Sequence, residues 1–256
     1  GMAHWLKVYD VPESSRYSAG KAIVNLLRLR ENETVTAVLP VKDFSGLVVM
    51  ATKKGTVKKN ELADYSNPRM GGIIAISLEP NDELISVAAT DGGQKLIIAT
   101  KHGLAARFNE AEIRTVGRTA KGVNGIRLYE GDEVVGMVVA SEDKTLLTVT
   151  KNGFGKRSPI ADYRLTARGA HGVINIQTSE RNGLVAAVAA VMEDDELMIV
   201  TKLGSVIRLA AKDVSVIGRN TQGVRLIKLD ENDTVVSATI ARKNGSNSQF
   251  IVQPSA

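Results

Sequence analysis

One tetrapeptide returns four times at a nearly fixed distance, and this recurrence confines the chain to a repeat architecture. Thr52-Lys53-Lys54-Gly55, Thr100-Lys101-His102-Gly103, Thr150-Lys151-Asn152-Gly153 and Thr201-Lys202-Leu203-Gly204 each follow an apolar run, and their glycines lie 48, 50 and 51 residues apart. Four residues beyond each glycine stands a base: Lys59, Arg107, Arg157 and Arg208. Units of this length cannot bury their apolar faces alone, so neighbours must stack to complete a core.

Two further landmarks share the period. Gly20, Gly72, Gly122, Gly172 and Gly223 are spaced 52, 50, 50 and 51 apart. Four residues before them stand Arg16, Pro68, Arg118, Arg168 and Arg219, with Arg69 one place late in the Pro68 copy. An apolar strand pattern follows each glycine. After that comes an Asn, Asp, Glu or Gly turn, such as Glu130-Gly131-Asp132-Glu133, and then a β-branched run suited to a pleated sheet. One unit therefore reads as four short strands: Lys95 to Lys101, Leu104 to Phe108, Val123 to Tyr129 and Glu133 to Ala140. The polar crossing Asn109 to Lys121 has no lasting 3.6-residue stripe and holds at most one helical turn.

The expected fold is all-β, a propeller-like ring of about five four-stranded blades. The approximate units are 1–46 joined by 248–256, then 47–91, 92–142, 143–193 and 194–247. Residues 1–46 supply strands two, three and four of a unit but no strand one. The stretch Gln249-Phe250-Ile251-Val252 matches the polarity of a strand one, and Gly1 falls in register with the hairpin glycines. The two ends are thus expected to complete one blade together, which leaves no naked sheet edge. Gly1-Met2 itself reads as a leftover of expression, and no signal-peptide pattern follows it.

Enzyme chemistry finds little support. The chain has no Cys, so disulfides and thiolate metal sites are excluded. His4, His102 and His171 lie in different units and do not cluster as metal ligands do. Lys151 to Lys156 lacks the spacing of a phosphate-binding loop and belongs to a repeated hairpin. Asp132-Glu133 and Asp194-Asp195 read as turn chemistry, and no Ser-His-Asp set can be assembled. No catalytic residue, metal or cofactor is expected.

The bases carry the signal. The excess is modest, 33 Lys and Arg against 28 Asp and Glu, so distribution matters more than total. In a ring, repeated bases form a belt, while the acids gather at the turn before strand four. Candidate phosphate contacts are Lys59, Arg69, Arg107, Arg114, Arg118, Lys121, Lys156, Arg157, Arg164, Arg168, Arg208, Lys212 and Arg219. The second-strand members depend on that strand facing outward. Aromatics are 4%, too few for single-strand stacking platforms, which favours duplex backbone with low sequence specificity. The competing readings are bases that merely solvate sheet edges, a protein-interaction propeller, and an enzyme working from a central channel.

Several stretches are similar to the C-terminal domain of DNA gyrase A. They are Trp5 to Glu13, Gly20 to Leu27, Asn152-Gly153-Phe154-Gly155-Lys156-Arg157, Glu180 to Val185 and Ile217 to Val224. The C-terminal domain of topoisomerase IV is the near relative. The resemblance implies a β-pinwheel, a propeller-like ring whose blades exchange strands. It also implies a bacterial cytoplasmic, nucleoid-associated role: duplex DNA wraps the basic rim and supports negative supercoiling, together with the rest of gyrase A and with gyrase B. The family's heptapeptide Gln-Arg-Arg-Gly-Gly-Lys-Gly is absent. It belongs to a first blade, and the chain is expected to begin just after it, with Arg118 to Gly122 and Arg168 to Gly172 as degenerate echoes. None of the five Tyr residues matches the DNA-cleaving tyrosine motif, so the domain is expected to bind and bend DNA and to cleave nothing.

Overall fold

The computed structural model describes residues 1–13, 21–27, 29–30, 33–241 and 250–251. Arg16, Gly20 and the Lys243 to Ser248 loop fall outside the described residues. The fold is all-β. First strands are Leu47–Thr52, Lys95–Thr100, Thr145–Thr150 and Glu196–Thr201. Second strands are Thr56–Glu61, Leu104–Asn109, Phe154–Pro159 and Val206–Ala210. Fourth strands are Leu84–Thr90, Val134–Ala140, Val185–Val191 and Val235–Ala241. Single 3-10 turns, among them Glu110–Glu112 and Ile160–Asp162, interrupt the crossings.

The repeated tetrapeptide builds the hairpin between first and second strands. Gly55, Gly103, Gly153 and Gly204 have φ between 79° and 90°, a region glycine enters without steric cost. The Thr100 hydroxyl accepts from Leu104 N at 3.2 Å, and Thr52 and Thr201 repeat the bond. The turn before strand four caps the same hairpin. Asp132 Oδ1 accepts from His102 N and Glu133 N, both at 2.9 Å, and Asp82 and Asp233 do the same in their repeats. These acids are therefore buried turn formers, which is the polar turn chemistry their positions suggest.

First strands are buried on both faces: Leu96, Ile97, Ile98 and Ala99 are each fully covered, as a strand packed between two neighbouring blades requires. Fourth strands line the inside of the ring and lie one against the next in order. Small residues permit that convergence. Gly136 is an example, since a Cβ there would meet Val188 Cγ2 at 2.9 Å. Hydrophobic clusters accordingly run across blade boundaries. One joins Leu147 and Val149 to Leu197, Ile199 and Ala238.

The third strand departs from a unit-by-unit reading. It is two residues long and belongs to the sheet of the preceding unit. Ile73–Ile74 pairs with Met2–Ala3, Val123–Asn124 with Thr56 and Val57, Val173–Ile174 with Leu104 and Ala105, and Val224–Arg225 with Phe154 and Gly155. It stops short because the chain then bends over the neighbour's hairpin: Gly125 N donates to Gly55 O at 2.7 Å, and Ile126 enters the core. Sheet order is therefore fourth, first, second, then the next unit's third, outermost. The Glu196–Thr201 sheet shows three strands among the described residues.

The shared blade is assembled from both ends. Phe250 pairs with Val38 and Ile251 with Ala37. Gly1 takes the hairpin-glycine position, for Ala75 N donates to Gly1 O at 3.0 Å, as Asn175 N does to Gly103 O at 2.8 Å.

Candidate nucleic-acid interface

The exchanged third strand puts the connection that precedes it on the outer rim. Three equivalent arginines sit there and make one repeated bond. Arg118 Nη1 donates to Ile74 O at 3.2 Å, Arg168 Nη1 to Asn124 O, and Arg219 Nη1 to Ile174 O at 2.6 Å. Each caps a carbonyl on the outermost strand edge and keeps most of its five N–H donors for another partner. The loops are fixed by backbone bonds: Val116 N to Lys59 O at 2.9 Å, Thr166 N to Arg107 O at 2.8 Å and Ile217 N to Arg157 O at 2.9 Å. On the same loops Arg114 and Arg164 are exposed. Arg69, Lys121 and Lys212 are exposed as well.

Four of the sequence candidates lie elsewhere, and the correction has one cause: the second strand faces the interior. Lys59, Arg107 and Arg157 are each 5% exposed and clamp the next unit. Lys59 Nζ donates to Glu110 O at 2.9 Å, Arg107 Nη1 to Tyr163 O at 3.1 Å and Ile160 O at 3.2 Å, and Arg157 Nε to Val214 O at 2.9 Å. Arg107 also pairs with Glu142. Trp5 fills the equivalent position of the shared blade and donates its indole N–H to Tyr65 O at 2.9 Å. The base four places after the glycine is thus an inter-blade fastener. Lys156 is fully buried, its three donors met by Ser158 Oγ at 3.1 Å, Gly218 O at 2.7 Å and Arg219 O at 2.7 Å. Burial holds its pKa down at about 8. A buried charge survives only when paired or fully hydrogen-bonded, so none of these four offers its charge to a ligand. Arg208, the last of the series, is exposed and pairs with Glu196.

The two signs mix more than the sequence pattern suggests. Glu79 pairs with Lys121 at 2.7 Å, and the Lys121 ammonium holds its carboxyl below the usual range. Glu112 Oε2 accepts from Arg168 N at 2.8 Å. Two acids therefore reach the rim, each beside a base.

Comparison with known proteins agrees with this layout. The family model described as DNA gyrase C-terminal domain, beta-propeller, matches residues 1–42, 46–91, 94–141, 144–192 and 195–242. The chain belongs to the DNA gyrase C-terminal domain family. DNA gyrase A of Buchnera aphidicola (Acyrthosiphon pisum symbiont) is 56% identical over 93% of this chain and 29% of its own length. DNA gyrase A of Halalkalibacterium halodurans is 51% identical over 94% of this chain and 29% of its own. The chain thus spans less than a third of these relatives. Among solved structures, a DNA gyrase A C-terminal domain superposes with a TM-score of 0.79 at 30% identity, over 87% of this chain and 75% of that one. The C-terminal domain of a DNA topoisomerase IV gives 0.83 at 26%, over 91% and 74%.

Within the gyrase domain the structure adds bases that the periodicity does not single out. Arg127, Arg181, Arg225 and Lys228 are exposed. Arg225 lies on an outermost third strand, and Arg181 and Arg225 both sit over the Phe154 ring, at 4.9 and 5.2 Å from its centroid. Arg225 stands two residues after Gly223 and six after Arg219, a proximity that could have flagged it. Arg127 needs the strand exchange to be seen as a rim neighbour, since its N–H donates to Ala170 O of the next connection. Among the described residues no three potential ligands gather as a metal site, and no helix is long and apolar enough to cross a membrane.

Proposed function

We propose that this domain binds duplex DNA along its outer rim, bends it and wraps it, and that it thereby supports negative supercoiling within a DNA gyrase. The observation that carries the reading is the recurrence of Arg118, Arg168 and Arg219 at one position on the outermost strand edge, with Arg114 and Arg164 exposed on the same loops. The proposed contacts are Arg69, Arg114, Arg118, Lys121, Arg164, Arg168, Arg208, Lys212 and Arg219, joined by Arg127 and Arg225. They meet phosphates and carry little sequence information. Bending a short duplex smoothly costs of order 1–6 kcal/mol, which several phosphate contacts offset.

In this reading the domain performs no catalytic step and needs no cofactor of its own. It acts in a bacterial cytoplasm as the C-terminal part of a gyrase A. The remainder of gyrase A, with an ATP-driven gyrase B, carries out strand passage. Likeness to a topoisomerase IV C-terminal domain keeps that enzyme as the alternative parent. The test is topological. Relaxed circular plasmid is incubated with the domain and then with a nicking-closing enzyme. Wrapping leaves a linking-number shift that grows with protein concentration. Duplex binding without such a shift rejects wrapping, and no duplex binding rejects the whole reading.

A further inference from the structure

The rim connections alternate between core and solvent in the same phase. Ile113, Tyr163 and Val214 point inward and are at most 1% exposed, while two residues later Thr115, Leu165 and Val216 point out. Leu165 is 47% exposed and Val216 50%. Single exposed aliphatics are ordinary. Here they recur at one position of successive blades, each within a few residues of a rim arginine: Arg164 and Arg168 around Leu165, Arg219 after Val216. They are also held rigidly. Leu165 and Val216 each bridge in parallel to the buried clamp residue of the second strand, Arg107 and Arg157. Arg157 N donates to Ser215 O and Ile217 N to Arg157 O, both at 2.9 Å. Beside them, Ile74 and Ile174 on the third strands are 45% and 41% exposed, with Arg118 and Arg219 bound to their carbonyls.

We propose that Leu165 and Val216 are apolar wedges that enter the minor groove of bound duplex and produce its bend, while the flanking arginines hold the phosphates on either side. This deepens the DNA-binding reading and rests on it. The rim projects no helix or long ribbon that would fill a major groove. Short aliphatic side chains beside arginines suit the minor groove, where apolar residues inserted at a base step unstack it and kink the helix. The wedges also answer a shortfall: with Lys59, Arg107, Lys156 and Arg157 inside the protein, fewer phosphate contacts remain to favour a bent duplex.

The experiment uses a short duplex labelled at both ends, with energy transfer reporting the bend at saturating protein. The Leu165→Ser/Val216→Ser double variant should reduce the bend by about half and leave the slope of log affinity against log salt unchanged, because no phosphate contact is lost. Leu165→Met/Val216→Ile should restore it. If wild type bends the duplex and the serine variant bends it equally, the wedge is refuted and DNA binding stands. If the serine variant flattens the salt slope, the pair acts by placing the arginines and the wedge is again refuted. If wild type fails to bind duplex, the underlying reading fails with it.

Discussion

Arg107→Ala separates fastening from DNA binding. Arg107 is 5% exposed, donates to Ile160 O and Tyr163 O of the next unit, and pairs with Glu142. Hydrogen bonds from a charged donor are worth about 1.5–3 kcal/mol each, and the variant strands two buried carbonyls at a blade boundary. Glu142 is 55% exposed on its side chain, so it returns to water at little cost. The expected loss is about 3 kcal/mol, taking the two carbonyls together and allowing partial relaxation. For a domain of this size that corresponds to a fall of roughly 6–12 °C in the thermal midpoint. Circular dichroism measures it, and a duplex titration run well below the midpoint shows whether binding changes. Unchanged DNA affinity with the lowered midpoint is the expected pair of results. A stable variant with weakened, less salt-sensitive binding would refute the reasoning, because it would put the Arg107 guanidinium on DNA.

Lys58 and Lys156 are fully buried, and burial lowers the pKa of each from 10.5 to about 8. Between about pH 8 and 10.5 the unfolded chain therefore binds more protons than the folded one, so stability rises with pH across that window and levels off below it. Urea midpoints at pH 8 and 10 test this, with Lys58→Met/Lys156→Met expected to flatten the rise. Gly103→Ala puts a Cβ 2.2 Å from Ile176 O at φ 90°. It should cost at least ~2 kcal/mol by chemical denaturation, and a neutral result would contradict the hairpin geometry. Trp5→Phe loses the indole bond to Tyr65 O, and a loss of about 1 kcal/mol is expected. Asp132→Ala frees the His102 and Glu133 amides and should cost about 1–2 kcal/mol in the same assay.

The sequence made the period, the strand count per unit and the shared end blade visible, because each rests on local chemistry. Gly103 must turn the chain, Thr100 and Asp132 must cap it, and Leu96 to Ala99 must be covered. Strand exchange is not local. Val123–Asn124 pairs with Thr56 and Val57 through a crossing whose length fits either blade, so it was legible only through the resemblance. The same gap misplaced the bases. Arg107 and Arg114 look alike in sequence. One lies on an interior strand beneath the next blade's turn and the other on the loop above it. Trp5 carries a clue to the difference, since an indole where other copies have a base suits an interior donor better than a phosphate contact.

The central claim is that rim arginines, and not the basic residues of the second strand, hold duplex DNA through its phosphates. The salt dependence of duplex affinity for wild type, Arg114→Ala/Arg164→Ala and Arg107→Ala/Arg157→Ala tests it most directly. Each phosphate contact contributes about 0.9 to the slope of log affinity against log salt. The rim pair should lower the slope by about 1.8, and the second-strand pair should leave it unchanged wherever the protein is folded. A slope that falls for the second-strand pair and stays for the rim pair would contradict the account.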